Sequence, residues 1–215
     1  MNTDDLITIL AEDARPIRDG VVPRRLASFA GAGLCASVLL MLAWLPPRPD
    51  LQHAVQGLIF WEKSLYTLSF AVVGALAVER LARPGGRAPA TAPAILALAV
   101  GLMAAAAAIG LWQAGPELRV QLWLGDSFQV CSLRIVALAV PLLITTLAAT
   151  RSLAPTRLRA AGAAAGLLAG GLSASVYALH CPESAPAFIV CWYSLGMLTS
   201  AAIGAALGPF ALRWR

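Results

Sequence analysis

Residues 26–45 read LASFAGAGLCASVLLMLAWL, twenty positions without one charge. At a rise of about 1.5 Å per residue such a run covers about 30 Å, the thickness of the hydrocarbon core of a bilayer. Lipid offers the backbone no hydrogen-bond partner, so a spanning segment must be a helix or part of a closed barrel. A barrel strand would be short and alternating, and this run is neither. Trp44 suits the membrane interface, and Pro46-Pro47 stops the helix just beyond it.

The rest of the chain repeats the pattern. Of 215 residues, 59% are hydrophobic and only 13% charged, with a mean hydropathy of +0.75, which is too apolar for a water-soluble domain. A second run covers residues 65–78, extended by Trp61, Tyr66 and Leu81, with Glu62 and Lys63 marking one interface and Glu79 and Arg80 the other. Residues 92–112 form a third and residues 133–149 a fourth, the latter with Pro141 at its middle. Residues 160–179 and 187–207 form the fifth and sixth. The chain is therefore expected to be all-α, a polytopic membrane protein built as a bundle of six transmembrane helices. Its parts are a segment of residues 1–25, a membrane domain of residues 26–209 and a basic tail of residues 210–215.

Six spans place both ends of this sequence on one side. That side carries twelve arginines, whereas the other carries Arg48, Lys63, Arg119 and Arg134. The positive-inside rule then puts the N- and C-termini in the cytoplasm. Arginines facing anionic lipid account for the net charge of +5, so no direct nucleic-acid partner is needed to explain it.

The first 25 residues are polar and do not read as a secretory signal, which would start basic and carry its apolar core earlier. Within them Asp4, Asp5, Leu6, Ile9, Leu10 and Asp13 fit a short amphipathic helix that Thr3 can cap, its aspartates complementing the positive helix end. Such a helix can anchor at the bilayer surface or dock on a soluble partner. In the fifth span Gly162, Gly166 and Gly170 recur every four residues, and Gly204 with Gly208 repeats the spacing in the sixth. These are packing positions, and an exposed stripe of this kind leaves a homodimer open.

The chemistry concentrates at Leu179-His180-Cys181-Pro182-Glu183. Cys181 follows the fifth span and Cys131 precedes the fourth, so both fall at the outer face. Cys35 and Cys191 lie within spans and read as small buried hydrophobes. In a bacterium the outer face is the oxidising periplasm, where Cys131 and Cys181 could form a structural disulfide if close enough. They could equally act as a thiol sensor, with His180 and then Glu183 completing a ligand set for a soft metal ion, or stay unpaired. No nucleophile elbow, phosphate loop or HExxH pattern occurs, and the chain is read as a non-enzyme with no obligatory cofactor. A thiol-dependent membrane oxidoreductase or a small-solute or ion carrier is the alternative reading.

Several stretches, taken in order, resemble the NrsF-type membrane anti-sigma factors, negative regulators of extracytoplasmic-function (ECF) sigma factors. They are Thr3-Asp4-Asp5-Leu6-Ile7 through Leu10-Ala11-Glu12-Asp13, Cys131-Ser132-Leu133-Arg134, Leu153-Ala154-Pro155-Thr156-Arg157, Tyr177-Ala178-Leu179-His180-Cys181-Pro182-Glu183 and Trp192-Tyr193-Ser194-Leu195-Gly196-Met197. The resemblance implies a bacterial inner-membrane protein whose N-terminal segment sequesters an ECF sigma factor. Asp4, Asp5, Leu6, Ile9, Leu10 and Asp13 would form the binding surface. It further implies that heavy-metal or oxidative stress acts at Cys131 and Cys181, with a transient heavy-metal ion as one form of the signal.

Overall fold

The computed structural model of the chain describes Asn2, Thr3, Asp5, Thr8 and residues 20–214. Among the described residues there is no strand, and six helices are long and apolar enough to cross a membrane. Helix α1 is Val21–Trp44, a short α2 is Leu51–Ala54, and α3 is Leu58–Leu81. Then come α4, Ala92–Gln113, the short α5, Pro116–Leu124, and α6, Phe128–Arg151. Helix α7 is Leu158–Tyr177, α8 is the single turn Pro186–Phe188, and α9 is Ser194–Ala211. Between α8 and α9 residues Ile189–Tyr193 form a π-turn, so the sixth span is continuous but locally over-wide.

Of the expected N-terminal helix, Thr3, Asp5 and Thr8 are helical. Thr3 thus lies inside the helix rather than capping it. Asn2 precedes it and donates its main-chain N–H to the Asp5 carboxylate at 3.2 Å. Asp4, Leu6, Ile9, Leu10 and Asp13 lie outside the described residues.

Helix α7 is the centre of the bundle, packed on α3, α6 and α9. Its sequence explains this, because glycines face both neighbours. A Cβ added at Gly162 or Gly166 would collide with the backbone oxygen of Gly204 or Ser200 on α9, and one added at Gly171 would meet the backbone of Ala71 on α3. Gly74 of α3 answers in kind against Leu168. Close backbone approach of this sort is how helices gain packing energy where no hydrophobic drive separates them from lipid. The stripe is therefore consumed within the chain, which corrects the expectation of an exposed face for a second copy.

Helix α1 packs chiefly on α6. Gly33 lets the two approach, since a Cβ there would strike Leu142 and Thr145. Ser37 donates its hydroxyl to the carbonyl of Leu138 at 3.0 Å, next to the Ala137 carbonyl whose helical donor Pro141 lacks. Most of the remaining surface of α1 is exposed on the isolated chain, and Cys35 is part of it. Cys191 is exposed as well. Both corrections have one cause: a span in a small bundle turns much of its surface to lipid, and sequence position does not tell which face.

Candidate functional site

Loops and helix ends at one end of the bundle converge on the segment after α7. Residues 181–185 take no regular secondary structure, so their polar backbone must be satisfied from elsewhere. Cys181 is 1% exposed and Cys131, in the first turn of α6, 0%. The two side chains are in polar contact and both are free thiols. The fourth helix starts at Phe128 instead of 133, which places Cys131 inside a helix whose direction fixes its aim.

Three kinds of group surround the sulfurs: two tyrosines, a serine and a lysine. Tyr177, the last residue of α7, faces Cys131, and Tyr193, at the end of the π-turn, faces Cys181. Both hydroxyls are buried, with no geometric hydrogen-bond partner among the described residues. The Ser127 hydroxyl lies 4.0 Å from the Cys181 sulfur. The third group is Lys63. Its ammonium donates to the carbonyl of Cys181 at 3.1 Å and to that of Glu183 at 2.9 Å, and sits 4.6 Å from the centre of the Tyr193 ring. The contact with the Cys131 thiol, reinforced by the nearby Lys63 charge, holds the Cys181 thiol below the ordinary thiol range, against the opposing effect of burial.

Lys63 was expected at an interface. Helix α3 instead begins at Leu58, seven residues before the apolar run from 65, and this extra length carries Lys63 inward to 3% exposure. Nothing in its local sequence signals this. The only cue is compositional, a lysine followed by one long apolar helix with no charge before Glu79.

Glu183 and His180 are placed differently from the expected metal set. The Glu183 carboxylate accepts from the Asp126 N–H at 2.8 Å and the Ser127 hydroxyl at 3.5 Å. A carboxylate here complements the positive end of α6. Gly125, at φ 57°, keeps the room, because a Cβ would meet both Phe188 and that carboxylate. His180 donates from Nδ1 to the Pro46 carbonyl at 2.6 Å. A carbonyl can only accept, so Nε2 is the acceptor nitrogen, and it lies 3.3 Å from the Arg134 guanidinium. With both ring nitrogens engaged, His180 is not brought to the thiols. Among the described residues no three Cys, His, Asp or Glu side chains converge as a metal-holding group. His180 also serves as a rivet: the Arg48 N–H donates to the Leu179 carbonyl at 3.0 Å alongside it, and the two bonds fasten the loop between α1 and α2 to the thiol-bearing segment.

The architecture is matched by known sequences. A family model described as NrsF, negative regulator of sigma F, covers residues 10–214. The chain belongs to the NrsF family. Among its relatives, the anti-sigma-F factor NrsF of Caulobacter vibrioides is 46% identical over 218 residues, spanning the whole of both chains. The probable anti-sigma-F factor NrsF of Azospira oryzae is 45% identical over 214 residues, again end to end. No solved structure matches the chain. In this NrsF-family chain, then, a buried pair of thiols lies at one end of the bundle with a lysine beside it.

Proposed function

We propose that the protein is a bacterial inner-membrane anti-sigma factor that holds an ECF sigma factor through its cytoplasmic N-terminal segment. It releases that factor when periplasmic Cys131 and Cys181 react with a soft heavy-metal ion or an oxidant. The observation that carries this reading is the contact of two buried thiols contributed by residues fifty positions apart. They lie at the end of the bundle opposite the start of α1, since His180 bonds to Pro46, past the far end of that 24-residue helix. The arginine asymmetry supports the orientation.

Two thiols suffice for the input. A thiophilic ion binds both sulfurs as thiolates and displaces whatever protons they still carry; an oxidant such as a peroxide takes two electrons from the pair, with protons from the thiols and solvent, leaving a disulfide and water. Either event pulls the start of α6 against the end of α7. Helix α6 carries the change to its Pro141 break, where Ser37 ties it to α1, and α1 leads directly into the N-terminal segment. Converting a 99:1 equilibrium into 1:99 takes about 5.5 kcal/mol, within reach of dithiolate ligation.

The docking part of the proposal assigns Leu6, Ile9 and Leu10 to the apolar contact. Asp4, Asp5 and Asp13 would meet basic groups of the sigma factor. The test is a sigma-dependent reporter with the intact protein in cells. The double variant Cys131→Ser, Cys181→Ser is expected to repress normally and to lose induction by cadmium or diamide. Deletion of residues 1–14 is expected to give constitutive reporter activity and to abolish co-purification of the sigma factor. Normal induction in the double variant overturns the sensing role, and continued repression after the deletion overturns the docking role.

A further inference from the structure

The geometry points to Lys63 as the positioning residue of the thiol pair, a clamp that fixes the non-helical segment bearing Cys181 and ties it to α3. This deepens the sensing reading and rests on it. A buried ammonium is costly, several kcal/mol per ion after relaxation, and among the described residues no carboxylate lies within ion-pair distance of Lys63. Its compensation is instead a set of directed contacts, with the carbonyls of Cys181 and Glu183 and the face of Tyr193. Those carbonyls bracket Pro182 in a stretch with no helix to satisfy them, and a carbonyl turned away from water without a partner is unfavourable.

The clamp works on both sides of the site. Glu183, held at its carbonyl by Lys63, reaches with its carboxylate to Asp126 and Ser127 at the start of the helix that carries Cys131. Lys63 therefore stands behind the whole polar path from Cys181 to the Cys131 helix. Removing its donors takes the partner from the buried Cys181 carbonyl and from the part-buried Glu183 carbonyl and frees Cys181 to swing from its partner. Reaction between two sulfurs depends steeply on their alignment, and misplacement by about 1 Å can lower a rate by up to about a hundredfold.

The test uses the full-length protein in membranes, in a Cys35→Ser, Cys191→Ser background so that only the pair reports. Diamide is added, which takes up two electrons and two protons as the Cys131–Cys181 bond forms, and unreacted thiols are counted by polyethylene-glycol maleimide gel shift. Lys63→Met is expected to slow bond formation at least about tenfold, with sigma retention unchanged. Lys63→Arg, which keeps a cationic donor able to reach two carbonyls, is expected to restore most of the rate, a recovery that general destabilisation would not give. If Lys63→Met fails to accumulate, Lys63→Ala, which also has no donor, takes its place: slowed closure supports the clamp and wild-type closure overturns it. Closure of Lys63→Met at the wild-type rate likewise overturns the clamp. A double cysteine variant that still induces would overturn the sensing reading, whereas cysteine-dependent induction with unaltered Lys63→Met kinetics would overturn the role of Lys63 alone.

Discussion

The interface of α7 with α3 and α9 and the thiol-bearing end of the bundle are only a few turns apart, yet they are held in different ways. The first is a contact of shapes. Glycines from three helices let backbones meet, and a side chain at these positions has nowhere to go. The second is a set of directed polar contacts around irregular backbone, with Lys63, Glu183, His180 and Ser127 each reaching a partner distant in sequence. A shape-fitted interface has one arrangement and fails when disturbed. A polar cluster around two reactive sulfurs has alternatives of similar energy, which a small chemical change can exchange.

The comparison is broken most severely from the packed side. Gly166→Leu must push α7 off the α9 backbone, and a loss of more than about 4 kcal/mol is expected. The measured outcome would be loss of the protein from membranes. If the variant accumulates normally with unchanged protease resistance, the α7 to α9 contact is not what holds the bundle.

Glu183→Gln sharpens it with a smaller effect. The amide keeps an acceptor for Asp126 but loses the charge at the α6 terminus, and a cost of about 1 to 2 kcal/mol is expected. This should appear as faster hydrogen exchange confined to the start of α6, with the α7 to α9 contact unaffected. Equal exchange in both regions would mean that they are one unit.

The gentlest probe is pH. Because the folded Cys181 thiol titrates below its ordinary range, its anionic form is already present at neutrality. Its reaction with methyl methanethiosulfonate should therefore stay nearly flat from pH 7 to 9, where an ordinary thiol with a pKa of about 8.5 accelerates many-fold. Cys131→Ala removes the main cause of the shift and should restore the steep rise. A steep rise in the wild type would show that contact and charge do not outweigh burial.

Much of the fold could be read directly. Uninterrupted apolar length announces a membrane helix, and four-residue glycine spacing announces close packing, because both follow from local geometry. The site was legible only in its sulfurs, whose positions after the fifth span and before the fourth put them at one end of a bundle. His180 could not be read in the same way, since an imidazole suits a ligand role and ordinary hydrogen bonds alike, and its partners Pro46 and Arg134 come from a remote loop and from α6. The π-turn that delivers Tyr193 has no sequence mark either.

What the sequence alone determined about this protein is therefore what depends on residue type and spacing: six spans, a charge asymmetry, a glycine stripe, and two thiols at one face. What only the tertiary structure decided is which groups those thiols meet. A lysine beside an apolar run reads as an interface marker, because a charge is cheapest in water. Lys63 is buried instead because α3 starts early and the carbonyls of Cys181 and Glu183, from a segment more than a hundred residues away, receive its ammonium. Such a partnership exists only after the helices have packed.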